Sequence, residues 1–273
     1  MSATLPTIVS SQPDRVYVLR TAVDPTSYED AAMRVESWIE AAKGRYICAA
    51  NVHMVMEGYD NSEFQGIVNN ADLVTPDGMP LVWCLRCWGA PGQQQVKGPE
   101  LMPCLLKKAA ERGWKVGLYG GEEETLRILS ERLPQIFPGL DLRYVCSPPF
   151  RALSQEEDQE ICEEIIAKRI QLLFVGLGCP KQERWMADHR PKLNCVMVGV
   201  GAAFNFHAGT VRPVPEGLRR IGFEWFFRLC MEPKRLWRRY AKHNPRFILH
   251  VIRQLRQVQE LANRFDHGKA MDE

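Results

Sequence analysis

No stretch of this 273-residue sequence approaches the roughly eighteen consecutive apolar side chains that a bilayer-spanning helix needs. The first residues lack the basic-then-apolar order of a secretory signal, so the expectation is a cytosolic chain. The nine cysteines are odd in number and irregularly spaced, which argues against a disulfide framework and for free thiols. Cys84-Leu85-Arg86-Cys87 is a lone Cys-x-x-Cys without the second ligand pair of a zinc module. Neither the GxGxxG fingerprint nor the P-loop is present. No Asp-x-Asp pair at a strand end announces a metal clamp, and internal repeats and low-complexity tracts are absent.

What the sequence does have is glycine where strands end. The apolar run Leu172 to Val175 leaves through Gly176-Leu177-Gly178-Cys179-Pro180-Lys181-Gln182-Glu183-Arg184-Trp185. A similar exit follows at Cys195-Val196-Met197-Val198-Gly199-Val200-Gly201-Ala202-Ala203-Phe204. Buried parallel strands hand over to helices in this way, through loops that let a ligand approach the backbone. The two exits predict a cleft for a phosphate-bearing small molecule. Strand patterns at 16–19, 46–52, 73–75, 116–119 and 142–146 alternate with helical ones at 28–43, 53–69, 81–88, 100–112, 122–135 and 155–169. The expectation is an α/β fold: a Rossmann-like, mostly parallel sheet with flanking helices. Residues 1–14 read as a disordered lead-in, 15–211 as the α/β domain, and 212–273 as a helical, basic appendage.

The net charge of +2 conceals an asymmetry. Between Arg212 and Arg256 stand twelve lysines or arginines against three glutamates, a net +9, which leaves −7 on the rest of the chain. Breaks are expected at Glu232-Pro233 and Pro245, with a last helix from Arg246 to Phe265. On a helical wheel Ile248, Val251, Ile252, Leu255, Val258, Ala262 and Phe265 share one side, and Arg246, Arg253, Arg256 and Arg264 the other. With the preceding Phe223, Trp225, Phe226 and Phe227, this predicts attachment to an anionic membrane surface. A solvated face on an ordinary packed helix is the plainer alternative. No nucleic-acid motif accompanies the charge, so nucleic acid is not an expected partner. The aromatic residues of the appendage leave a homo-oligomer open.

Several segments in order resemble the WecG/TagA/CpsF family of bacterial glycosyltransferases, which carry the GT-E fold. They are Asn51-Val52-His53, Ala71-Asp72-Leu73-Val74-Thr75-Pro76-Asp77-Gly78-Met79-Pro80, Lys97-Gly98-Pro99-Glu100-Leu101, Leu118-Tyr119-Gly120-Gly121, 175–185, 199–209 and 224–240. The resemblance implies an inverting, metal-independent transferase without a cofactor. It moves a sugar from a UDP-sugar to a glycan on a polyprenyl diphosphate, on the inner face of the bacterial plasma membrane, in cell-surface or exopolysaccharide synthesis. The chain departs from the family where Thr is usual and Ala49 stands, in the 97–101 segment, and where Phe-Asp-Phe reads Phe204-Asn205-Phe206.

Inverting transfer needs a base for the acceptor hydroxyl and polar or cationic groups for the leaving diphosphate. The resemblance points to Asp77 as that base, although Pro-Asp-Gly is also an ordinary turn. Asp72, before the strand, is expected to cap or to face solvent. Asn51 ends a strand and can bond a substrate hydroxyl or cap the next helix. Gly120, Gly121, Gly178 and Gly201 would open backbone N–H groups to the nucleotide. Gln182 carries the donor and acceptor pair suited to uracil or ribose. Glu183 suits a helix N-terminus, where it is either structural or part of the cleft. Lys97 is a phosphate candidate. Arg212, Arg219, Arg228, Arg235, Arg238 and Arg239 can bring planar, bidentate donors to a diphosphate, on an appendage expected to reach the cleft only at the membrane. His53, His189 and His207 read as structural or substrate-edge residues. Two other readings stand beside the transferase: a nucleotide-binding membrane adaptor and a Rossmann-type dehydrogenase.

Overall fold

The computed structural model describes residues 15–211 and 224–269, apart from the side chains of Glu224, Arg235 and residues 259–269. The expected lead-in 1–14, and Arg212 and Arg219, lie outside the described residues. The strands are β1 (Val16–Val18), β2 (Thr21–Val23), β3 (Arg45–Ala50), β4 (Leu73–Pro76), β5 (Lys115–Tyr119), β6 (Asp141–Cys146), β7 (Leu172–Val175) and β8 (Val196–Gly199). The helices are α1 (Tyr28–Glu40), α2 (Val52–Asp60), α3 (Ser62–Asn69), α4 (Met79–Cys87), α5 (Gly98–Arg112), α6 (Glu123–Ile136), α7 (Gln155–Ala167), α8 (Lys181–His189), α9 (Ala203–Ala208), α10 (Glu224–Met231) and α11 (Pro233–Lys269).

Every residue of β7 and β8 is apolar or glycine and buried, because these strands are covered on both faces. They lie inside a six-stranded, all-parallel sheet in the order β4-β3-β8-β7-β5-β6. One face packs against α1, α5, α6 and α9. The other packs against α2, α3, α4, α7 and α8. The helices that follow the adjacent strands β5 and β7 therefore leave to opposite faces, and a crevice opens at the carboxyl ends between them. This is the α/β architecture expected from the sequence.

Two elements differ from expectation. Residues 53–69 form two helices, not one, because the Asn61 side chain accepts from Phe64 N at 2.8 Å and starts α3. Pro245 does not end a helix: α11 runs through it. A proline costs an interior helix one backbone hydrogen bond, and here packing on both sides of it holds the helix. His243 and Phe247 are buried, and Arg246 forks onto Asp60 at 2.6 and 2.8 Å. The antiparallel β1–β2 hairpin, of which β2 went unforeseen, is strapped to the rim of the sheet. Asp24 accepts from Val74 N at 2.6 Å, and Arg15 donates to the carbonyls of Asn69 and Ala71.

The appendage lies against the α/β domain. Along α11, the Tyr59 and His250 rings stand 4.4 Å apart, and Gln254 bridges Leu19 N and Tyr17 O at 2.8 Å each. The apolar stripe of α11 is only partly covered: Phe247 is buried, while Ile248, Leu249, Ile252 and Val258 stay exposed. No helix among the described residues is long and apolar enough to cross a membrane.

Candidate functional site

Two cavities adjoin at the carboxyl end of the sheet. The first, of about 890 Å³, is walled by the loops after β5, β7 and β8, with Gly121, Gly176, Gly178 and Gly201 on its surface. Glycine is required in these loops on steric grounds. Gly120 has φ +98°, and a Cβ there would lie 2.8 Å from the backbone of Gly176. A Cβ on Gly176 would lie 2.5 Å from the Phe204 ring. The floor is aromatic: Tyr119 packs on Trp185 at 4.5 Å and Trp185 stacks on His189 at 3.9 Å. Lys181, Lys192, Arg151 and Arg228 bring positive charge to the wall.

Gln182 and Glu183 hold these loops from below. The Gln182 amide oxygen accepts from Gly178 N at 3.2 Å and Gly201 N at 3.0 Å, so one side chain joins both glycine exits. Its amide nitrogen donates to Glu183 at 2.7 Å. Gln182 is only 4 % exposed and absent from the cavity wall, so its polar atoms face other partners than the uracil or ribose expected of them. Glu183 is fully buried, and burial pushes its carboxyl up to about 7.

The second cavity, of about 610 Å³, lies between α2 and α4 on one side and α10 and α11 on the other. Its wall carries Asn51, Asp77 and Gln95, and is otherwise largely apolar: Met79, Trp83, Trp225, Phe247, Ile248 and Val251 among others. Asp77 follows β4, where its own N–H and that of Gly78 bond to the carbonyl of Ala50, at 2.8 and 3.2 Å. The chain crosses so closely that a Cβ on Gly78 would lie 3.3 Å from the Asn51 Cα. Adjacent strand ends thus put Asn51 and Asp77 side by side. Asn51 Oδ1 caps α2 through Met54 N at 3.3 Å, which leaves its amide nitrogen for other partners. Gln95 Nε2 donates to the backbone oxygen of Asp77. Asp72 neither caps a helix nor faces solvent: it pairs with Arg45 at 2.5 Å and Arg190 at 2.9 Å and is nearly buried.

The other expected site residues fall apart into groups. Arg228 lines both cavities, with its guanidinium 4.8 Å over the Phe206 ring. Arg238 is exposed beside Trp237 and lines neither. Arg235 belongs to α11, but its side chain is outside the described residues, as is all of Arg212. Lys97 corrects the phosphate expectation: it is buried, pairs with Glu100 at 2.9 Å, and lines neither cavity. His53, His243 and Arg239 also face the second cavity. His243 had no sequence signal, because only the docking of α11 brings it there. Burial, then Arg239 and His243, hold the His53 imidazole down at about 4.

The chain is similar in sequence to known proteins. The chain is 28 % identical over 218 residues to an N-acetylglucosaminyldiphosphoundecaprenol N-acetyl-beta-D-mannosaminyltransferase of Bacillus spizizenii, covering 80 % of this chain and 82 % of that one. A protein of the same name from Staphylococcus aureus strain MW2 is 25 % identical over 249 residues, covering 90 % and 95 %. The profile of the Glycosyl transferase WecG/TagA/CpsF family matches residues 16–260. Neither a dehydrogenase nor a non-catalytic adaptor accounts for that match, and the chain belongs to the WecG/TagA/CpsF family of glycosyltransferases.

Proposed function

We propose that this protein transfers a sugar from a UDP-sugar to a saccharide carried on a polyprenyl diphosphate, with inversion and without a catalytic metal. The observation that carries the reading is Arg228 on the walls of both cavities, one built of glycine exits and the other holding Asp77 in apolar surroundings. The glycine-lined cavity suits the nucleotide. Its open backbone and cationic rim fit a diphosphate, and its aromatic floor fits a base or ribose face. The apolar cavity suits the acceptor, because a prenyl chain gains by leaving water. The names of the relatives, which specify an acceptor on diphosphoundecaprenol, support this assignment.

In the proposed reaction the acceptor hydroxyl attacks the anomeric carbon as Asp77 takes its proton. The bond from that carbon to the diphosphate oxygen breaks, and UDP leaves with the electron pair. Arg228 and Arg239 supply the positive charge that receives it. Asn51, beside Asp77, would orient a sugar hydroxyl. Asn205 lies on the nucleotide cavity and brings no negative charge to its wall. The donor sugar is to be read from a panel, and not assumed to be N-acetylmannosamine.

The membrane contact proposed here is the exposed apolar rim of the second cavity, Trp83, Trp225, Ile248 and Ile252, flanked by the cations Lys234, Arg238 and Lys242. Each cation near an anionic surface contributes about 1 kcal/mol. The test is UDP release by the full-length protein on liposomes with a prenyl-diphosphate-linked saccharide, a panel of UDP-sugars and EDTA, beside Asp77→Asn. The expected release needs donor and acceptor together, survives EDTA and collapses in the variant. Release that Asp77→Asn leaves intact would remove Asp77 as base, and release abolished by EDTA both in the wild type and in Glu57→Gln would overturn the metal-free mechanism.

A further inference from the structure

We propose that His53, Glu57 and His243 form a binding site for a transition-metal dication of the zinc class, which clasps α11 to α2 beside the apolar cavity. His53 and Glu57 lie one turn apart on α2, and His243 comes from α11. Three donor atoms, one from each residue, all lie within 4.8 Å of one another. Glu57 Oε1 is 3.8 Å from His53 Nδ1 and 3.3 Å from His243 Nε2. Donors held about 2.0–2.1 Å from a tetrahedral ion stand roughly 3.3–3.4 Å apart. The cluster is therefore close to ion-sized, and looser than a hydrogen-bonded trio.

The donors are also available. His53 Nδ1 is buried without a hydrogen-bond partner. The His243 side chain is 96 % buried and turns Nε2 to the cluster, 3.3 Å from Glu57 Oε1, while Nδ1 on the other edge of the ring has no partner. The cations Arg239 and Lys242 stand near the cluster, with Glu57 inside it and Asp60 holding Lys242 at 3.6 Å and Arg246 at 2.6 Å. Two imidazoles and one carboxylate do not suit magnesium or calcium, which take oxygen donors. An ion that bonds to imidazole lone pairs is favoured. Both histidines line the cavity that holds Asp77, so the site adjoins it.

A second cluster provides the contrast. Asp158, Cys162 and His189 also lie within 4.8 Å of one another, but His189 already spends both nitrogens, on Trp185 O at 2.7 Å and Asp158 at 2.9 Å. Lys192 holds the other Asp158 oxygen at 3.0 Å. Those groups satisfy one another without an ion.

The clasp is tested on chelator-stripped full-length protein titrated with Zn²⁺ alone or Co²⁺ alone, without substrate, so the outcome is independent of the transferase reading. The expected result is a single ion per chain, with cobalt d–d bands and no thiolate charge-transfer band. His53→Ala, His243→Ala and the shape-preserving Glu57→Gln each weaken binding more than about tenfold. In the wild type, the ion also slows proteolysis of α11. Retained folding of each variant is checked by its thermal transition in EDTA. No saturable binding, or binding unchanged in all three variants, overturns the proposal. A thiolate band lost in Cys162→Ser would overturn it by placing the ion at the second cluster.

Discussion

The two cavities differ in what makes them. The nucleotide-sized one is walled largely by loops of one sheet, between Tyr119 and Val211, and its shape follows from the divergence of helices after β5 and β7. The apolar one joins residues 51–95 to residues 225–255, and exists only while α10 and α11 lie on the domain. The difference teaches that a sheet can preform a site for a soluble substrate, whereas the site proposed for a lipid acceptor is closed by an element that docks. In this structure Arg228 and Arg239 of the appendage stand on the cavity wall.

The largest effect that would separate the two is expected from Asp77→Asn. It should lower turnover by about 10²–10⁴-fold and leave UDP binding, read by titration, unchanged. An equal loss in both would mean that the cavities do not divide the work as proposed.

Next is the buried carboxyl under the glycine exits. Glu183 titrates near 7 when folded, against an ordinary 4.5. Its raised value means that its contribution to stability is complete below about pH 4.5 and is lost as pH rises to about 7. Glu183→Gln can still accept from Gln182 and carries no charge to bury. It should gain on the order of 3 kcal/mol relative to wild type at pH 8 and nothing at pH 4. Denaturant melts at the two pH values check this, and equal gains at both would refute a protonation origin.

Gly120→Ala reaches the same cavity from behind its wall, because Gly120 does not line it but touches Gly176, which does. A left-handed φ and a Cβ 2.8 Å from backbone should cost about 1–3 kcal/mol and weaken UDP binding. Thermal melts and UDP titration would show it, while proteolysis of α11 should stay unchanged.

The smallest effect belongs to the docked side. The Arg246 fork holds the Asp60 carboxyl down at about 2, from an ordinary 3.8. This depressed value stabilises docking above about pH 4, and the gain is lost as pH falls towards 2. The pair is partly exposed, so Asp60→Asn should cost about 1 kcal/mol or less. Hydrogen exchange in α11 should rise in the variant at pH 6 but match wild type at pH 2. Unchanged exchange at pH 6 would assign the docking to other contacts.

The strand ends were legible because their signals are local. A buried apolar run followed by glycine, and Asn51 or Asp77 directly after a strand, need no knowledge of distant residues. The errors arose where a distant partner decides. Lys97 is the exception, because its partner Glu100 is one turn away and was read only as part of a motif. The Gln182 amide looked available until the fold brought Gly178 and Gly201 to it. Pro245 read as a helix end because its packing comes from α2, far earlier in the chain. The wheel of α11 grouped Val251 with Ile248 and Ile252, yet it is Phe247, outside that group, that is buried.

The Gln254 bridge bears on how the molecule is made. It ties residues 235 and 237 positions apart in sequence. Contacts of such separation close late, because the loop entropy must be met before they form. During synthesis the sheet and its glycine exits can assemble while the last helix is still to be translated. A nascent chain therefore acquires the nucleotide cavity first and the Asp77 cavity last. The site proposed for the lipid cannot form on the ribosome until α11 is out.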